Sequence, residues 1–182
     1  MTQPFRLYPF ATSPDLQLTG SIARAGTNFA IAYQLQGDID KLVMPPAKDH
    51  PSRRDRLWEH TCFEFFLASP KAKPYWEFNL SPSGDWNAYH LTDYRQNLRQ
   101  EERINTLSFV MAQFPLEAAP SAGQTYHLSL DLDLTPLIAP HQPLAVGISA
   151  VVETPSGITY WALTHPEPQP DFHRRDSFTL RL

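Results

Sequence analysis

Arg53-Arg54-Asp55-Arg56-Leu57-Trp58-Glu59-His60-Thr61-Cys62-Phe63-Glu64-Phe65-Phe66-Leu67 is followed by Tyr75-Trp76-Glu77-Phe78-Asn79-Leu80-Ser81-Pro82-Ser83-Gly84-Asp85-Trp86-Asn87-Ala88-Tyr89-His90. In Cys62–Leu67 the residues Phe63, Phe65 and Leu67 alternate with Cys62, Glu64 and Phe66. In Tyr75–Leu80 the set Trp76, Phe78 and Leu80 alternates with Tyr75, Glu77 and Asn79. A period of two belongs to a strand, whose successive side chains point to opposite faces. Ser81–Asp85 is a turn by composition. Three of the four tryptophans fall in this region, among carboxylates, an amide and two histidines. Aromatic faces beside fixed polar groups suit a flat polar ligand such as a sugar or a porphyrin.

The same reading extends outward. Tyr126, Leu128, Leu130 and Leu132 share one side of Thr125–Asp133, and Val146, Ile148, Ala150 and Val152 share one side of Ala145–Val152. Phe178, Leu180 and Leu182 fall together in Ser177–Leu182. Leu16–Arg24 and Asn28–Leu35 flank Ala25-Gly26-Thr27 as a hairpin. Adding Trp86–Leu91, Thr106–Phe114 and Ile158–Leu163 predicts about nine or ten strands, an all-β chain at intervals that suit a sandwich or jelly roll. Eighteen prolines against seven glycines favour strands joined by rigid turns over long helices. The proline-rich loops are Met44–Pro51, Leu116–Pro120 and His165–Phe172. Thr92–Arg103 is the one helix candidate, with Thr92 or Asp93 as N-cap, and a single helical turn within a long connection fits it equally.

At 182 residues the chain is expected to form one domain spanning residues 1–182, long enough to bury a core. A net charge of −4, with Arg53, Arg54 and Arg56 as the nearest approach to a basic stripe, speaks against a nucleic-acid partner. No stretch approaches the ~18 apolar residues of a membrane span. Met1–Arg6 has neither a basic-then-apolar run nor a small-residue cleavage signal, so a soluble cytoplasmic protein is expected. The lone Cys62 rules out a disulfide scaffold.

Polar residues on the alternating faces are the candidates for chemistry. Glu77 and Asn79 are expected to face solvent or a shallow groove, and Glu64 stands among apolar neighbours on the less buried face of its strand; if the two central strands pair, Glu64, Tyr75, Glu77 and Asn79 share one surface. That surface is either a plain solvated face or a set of hydrogen-bonding partners for hydroxyls. Trp58, Trp86 and Trp161 stand at strand ends or turns, where they either close the rim of a core or stack on a ligand. The seven histidines show no HxH or HExxH spacing, so no metal site is expected. Haem would need an axial pair such as Met44 with His60 or His90, and without a CxxCH motif it would bind non-covalently. No GxSxG elbow, phosphate-cradling glycine loop or ExDxxE cluster appears, so no catalytic residues are assigned. Glu64 and Glu77 are the residue types of a glycosidase pair, but nothing in the spacing selects that chemistry.

These residues resemble the DOMON-like group of bacterial domains, related to the family-nine carbohydrate-binding modules. The likeness lies in Arg56–Leu67, in Tyr75–Trp86, in Tyr94-Arg95, and in Tyr160-Trp161-Ala162-Leu163-Thr164-His165-Pro166 through Pro170-Asp171-Phe172-His173. It spans the chain in order from about Leu16 to the C-terminus. The resemblance implies a single antiparallel β-sandwich of jelly-roll type that binds a small ligand, with sugars or haem as the ligand classes. It places Trp58, Glu64, Glu77, Asn79, Trp86, Arg95, Trp161, His165 and His173 at the site. The leading expectation is a non-enzymatic module for a saccharide, held by tryptophan stacking and Glu/Asn/Arg hydrogen bonds. The alternatives are a haem-binding redox module and a structural or partner-binding sandwich with no small ligand. An exposed sheet edge would also allow a homodimer.

Overall fold

The computed structural model describes residues 2–11, 15–115 and 124–182. Among these, twelve strands run β1 (Thr2–Pro9), β2 (Leu16–Ala25), β3 (Asn28–Gly37), β4 (Cys62–Ala68), β5 (Tyr75–Leu80), β6 (Trp86–Leu91), β7 (Arg99–Gln100), β8 (Phe109–Pro115), β9 (Gln124–Asp133), β10 (Ala145–Thr154), β11 (Gly157–Ala162) and β12 (Leu180–Arg181). All pairings between them are antiparallel. The order is β7-β6-β5-β4-β10-β11-β1-β2-β3-β9-β8, with β12 paired to β10. Among the described residues only short 3-10 turns accompany the strands.

The curled sheet folds back on itself into two layers. One layer carries β1, β2, β3, β9 and β8, and the other β7, β6, β5, β4, β10 and β11; β1 belongs to both, because Tyr8 and Pro9 pair with β11. The principal core lies between the layers. Ile31, Tyr33, Leu128 and Leu130 from one meet Phe63, Phe65, Phe78, Ile148 and Ala150 from the other. Phe29 stacks on Phe65 with ring centroids 5.2 Å apart, and Phe65 stacks on Phe78 at 4.5 Å. The Tyr33 hydroxyl donates to the Glu64 carbonyl across the layers at 2.7 Å. The alternation in β4, β5, β9 and β10 therefore marked this inner face correctly.

The expected hairpin is present, with Ala25 opposite Asn28 and Gly26 at φ 63°, the left-handed conformation a tight turn demands. Strand β1 was not anticipated, because Pro4 and Pro9 obscure the alternation of buried Phe5 and Leu7. The Leu116–Pro120 loop lies outside the described residues.

Three local expectations are corrected. Thr92–Arg103 is not helical: Arg95 and Asn97 take positive φ of 52° and 53°, and Asp93 pairs with Gln96 in a tight turn. Phe178 does not join Leu180 and Leu182; a 3-10 turn at Arg175–Ser177 sends it to the opposite face of the sheet. There it joins Phe66, Tyr75, Tyr89 and Leu91 in a second cluster, with Trp58 and Phe172 packed on it. The third correction concerns that outer face itself. It is neither solvated nor shallow, because the C-terminal segment and the Leu57–Glu59 turn lie across it.

Candidate functional site

Register sets the polar ladder of the outer face. Ser149 of β10 lies opposite Glu64 of β4, Glu64 opposite Asn79 of β5, and Asn79 opposite Asn87 of β6. One step along, Gly147, Phe66, Glu77 and Tyr89 form the next row. Glu64 and Glu77 are thus diagonal neighbours on adjacent strands. They are 2% and 4% exposed, and Asn79 is fully buried.

Each carboxyl has one assigned partner. The Ser149 hydroxyl donates to Glu64 Oε2 at 3.0 Å, and the Asn79 amide donates to Glu77 Oε1 at 2.8 Å. Glu77 Oε2 is buried with no hydrogen-bond partner among the described residues, and His173 Nε2 stands 4.0 Å from it. Burial pushes the Glu64 carboxyl up to about 8, with the charge of Glu77 adding to the rise and the Ser149 hydroxyl opposing it. Burial likewise raises Glu77 to about 7, against the Asn79 amide and the Arg95 charge. Burial and then the Arg95 charge pull His173 down to about 4. Its ring is oriented by Tyr75, whose hydroxyl is 2.8 Å from Nδ1. The Cys62 thiol is pushed well up, first by burial and then by Glu64, which makes it an unreactive neighbour.

Above this floor opens a cavity of about 320 Å³, lined by Trp58, Glu64, Glu77, Leu91, Arg95, Leu98, Val151, Tyr160, Pro170, Phe172 and His173. That volume sits at the small end of the ~300–1,000 Å³ range of ligand pockets. The left-handed Arg95 backbone explains one wall: its N–H donates to the Tyr75 hydroxyl at 3.2 Å, and its guanidinium bonds Asp171 at 2.9 Å. Asp171 also accepts from Tyr94 and from the His173 N–H, tying the C-terminal segment to the β6–β7 turn. Trp58, edge-on to Tyr89 at 5.8 Å, forms a second wall, and Tyr160 against Phe172 at 6.1 Å a third.

Of the residues singled out from the sequence, Trp58, Glu64, Glu77, Arg95 and His173 line the cavity, and Asn79 braces Glu77 from beneath. Trp86 and Trp161 lie in the inter-layer core at 5% and 2% exposure. Arg53 stacks over Trp86 at 4.4 Å, and the Trp161 indole donates to Thr159 Oγ1 at 3.0 Å. His165 is outside the cavity, bonded to the Tyr8 carbonyl at 2.8 Å. Tyr160, Phe172 and Val151 were missed. Parity held the signal for two of them: if Trp161 and Ala150 face the core, Tyr160 and Val151 must face the other way.

No family model matches the chain, and no curated protein matches it. Among solved structures, a Bacteroides uniformis protein provisionally named as carbohydrate-binding aligns over 97% of this chain and 84% of its own, with a TM-score of 0.71 and 15% identity. A family-nine carbohydrate-binding module from Caldicellulosiruptor kristjanssonii, solved with cellotriose, aligns over 92% of this chain and 75% of its own, with a TM-score of 0.48 and 11% identity. The same module with glucose gives 95%, 78%, 0.46 and 10%. At 15% identity the first likeness shows the β-sandwich fold and no more.

Proposed function

We propose that this protein is a ligand-binding module whose ligand is a saccharide, held on the outer face of the β4–β5–β6–β10 layer. One observation carries the reading: the cavity joins aromatic walls, Trp58, Tyr160 and Phe172, to two buried carboxyls. Aromatic rings stack on the C–H faces of a pyranose, and carboxyl oxygens bond its hydroxyls. The structural neighbour provisionally named for carbohydrate binding supports the same reading. A sandwich without a ligand site would pack Glu64, Glu77 and Trp58 against loops; the open cavity beside them favours binding.

Haem fits these residues poorly. Met44, His60 and His90 do not line the cavity, and His60 Nδ1 is held by Glu153 at 2.8 Å. Isothermal titration of the purified protein against neutral, acidic and amino monosaccharides and short oligosaccharides tests the saccharide reading. At least one is expected to give a saturable heat that Trp58→Ala weakens; no heat from any of them would sink the reading.

A further inference from the structure

Glu77 Oε2 is a buried carboxyl oxygen that no described group satisfies, although its residue lines the cavity. A buried polar atom is rarely left without a partner unless something absent from the protein supplies one. In its ionised form it lacks a donor. Glu64 lies diagonally beside it, so the floor presents two carboxyls to whatever enters. Among the described lining residues Arg95 is the one fixed cation, and Asp171 already takes its Nη2 at 2.9 Å. The histidine beside Glu77 does not make up the charge, since burial and Arg95 keep His173 neutral down to about pH 4. The cavity is therefore short of free positive charge among its described lining residues, and Trp58, Tyr160 and Phe172 add aromatic rings, a residue type whose faces attract cations.

We propose, building on the saccharide reading above, that the ligand this cavity selects carries a protonated amine: an amino sugar with a free ammonium group. An ammonium brings three donors and no acceptor, which matches a floor made of two carboxyls, one of them with an oxygen that no described group bonds. A neutral hexose offers only hydroxyls, and an N-acetyl group turns the cation into an amide with a single N–H. Burial and mutual repulsion favour holding at least one proton on the carboxyl pair near neutral pH. The other titratable groups around the pair are Cys62, Tyr75, Tyr89 and His173, all neutral there, with Arg95 and Asp171 as a flanking ion pair. An arriving ammonium favours the charged carboxylates and so expels a proton.

Isothermal titration near pH 7 with glucosamine, galactosamine and mannosamine, set against N-acetylglucosamine and glucose, tests this. At least one hexosamine is expected to bind about tenfold or more tightly than both controls. Its heat should also vary with the ionisation enthalpy of the buffer, which reports the released proton. Equal binding of a hexosamine and the controls overturns the proposal and leaves the saccharide reading standing. Cyclohexylamine, a cation without hydroxyls, separates the two in the other direction: binding as tight as the best hexosamine keeps the cation site and removes the saccharide reading. Failure of every amine to bind overturns the proposal. Glu77→Gln should abolish the amine preference, with an unchanged circular dichroism spectrum as the control. If that variant does not fold, Glu64→Gln should reduce the preference about tenfold, and a preference left intact in a folded variant overturns the proposal.

Discussion

Asn79 is bonded to Glu77 and lies opposite Glu64, so one buried amide sits between two buried carboxyls on neighbouring strands. Its Nδ2 donates to Glu77 Oε1 at 2.8 Å, and its Oδ1 accepts a weak contact from Cys62 Sγ at 3.8 Å. The amide acts as a spacer that supplies a donor without adding charge. Asn79→Ala should cost about 1–3 kcal/mol, the penalty for leaving a buried acceptor unsatisfied. Asn79→Asp places a third carboxyl in the same site and should cost more, roughly 3–5 kcal/mol. Urea unfolding of the two variants side by side checks the order; an aspartate variant as stable as wild type would show that water reaches this face.

The carboxyl pair also sets how stability responds to pH. In the unfolded chain a glutamate loses its proton near ~4.3, whereas in the fold Glu64 and Glu77 hold theirs up to about 8 and about 7. Between these limits the folded state binds more protons, so stability falls as pH rises, by at most about 1.4 kcal/mol per pH unit for each group. His173, pulled down to about 4, opposes this only below ~6.5, where the unfolded chain takes up the proton first. Ligand-free protein should therefore melt at a lower temperature at pH 8 than at pH 6. Glu64→Gln removes one descending contribution, so its melting temperature should change less over that interval. Parallel curves for the two proteins would mean that Glu64 is ionised throughout.

Trp58 and Trp161 should part company on mutation. Trp161 is 2% exposed in the principal core, so Trp161→Ala should destabilise the fold by roughly 3–5 kcal/mol. Trp58 lines the cavity from a short turn, so Trp58→Ala should cost little stability and weaken saccharide binding by about 1–3 kcal/mol. Denaturant melts and titration calorimetry on both variants separate the roles. A Trp58 variant that unfolds like the Trp161 variant would move Trp58 from the site to the core.

Gly147 lies on the outer face of β10, directly beneath Phe178. A Cβ there would come within 2.7 Å of Phe178 Cδ1. Gly147→Ala should cost about 1–3 kcal/mol through overpacking and push the C-terminal segment off the sheet. Because that segment carries Phe172 and His173, saccharide affinity should fall together with stability. Gly147→Ala with Phe178→Leu should recover part of both losses, measured by thermal melting and titration.

How much was legible follows from which forces act locally. The period-two patterns of β4, β5, β9 and β10 are local properties of backbone geometry, and they identified the inner face residue by residue. The hairpin turn at Ala25-Gly26-Thr27 was readable for the same reason, whereas the pairing of β4 with β5 entered the sequence reading only as a condition. The same parity put Glu64, Glu77 and Asn79 on one face without showing that the face is covered.

The covering is long-range. It depends on a C-terminal segment some hundred residues away from β5, held by Tyr75–His173 and by Asp171 with Arg95. No local period encodes which surface such a segment will meet, so the tertiary structure alone decided that Glu77, expected to face solvent or a shallow groove, and Glu64, on the less buried face of its strand, are both buried. It also decided which tryptophans are core, because Trp86 and Trp161 are chosen by the packing of two layers and Trp58 by a turn that misses it. The sequence by itself determined an antiparallel β-sandwich and the face that would carry polar residues. Only the fold, by removing water from Glu64 and Glu77, turned that polar face into a cavity floored by two carboxyls that hold their protons toward neutral pH, one of them with an oxygen that no described group bonds.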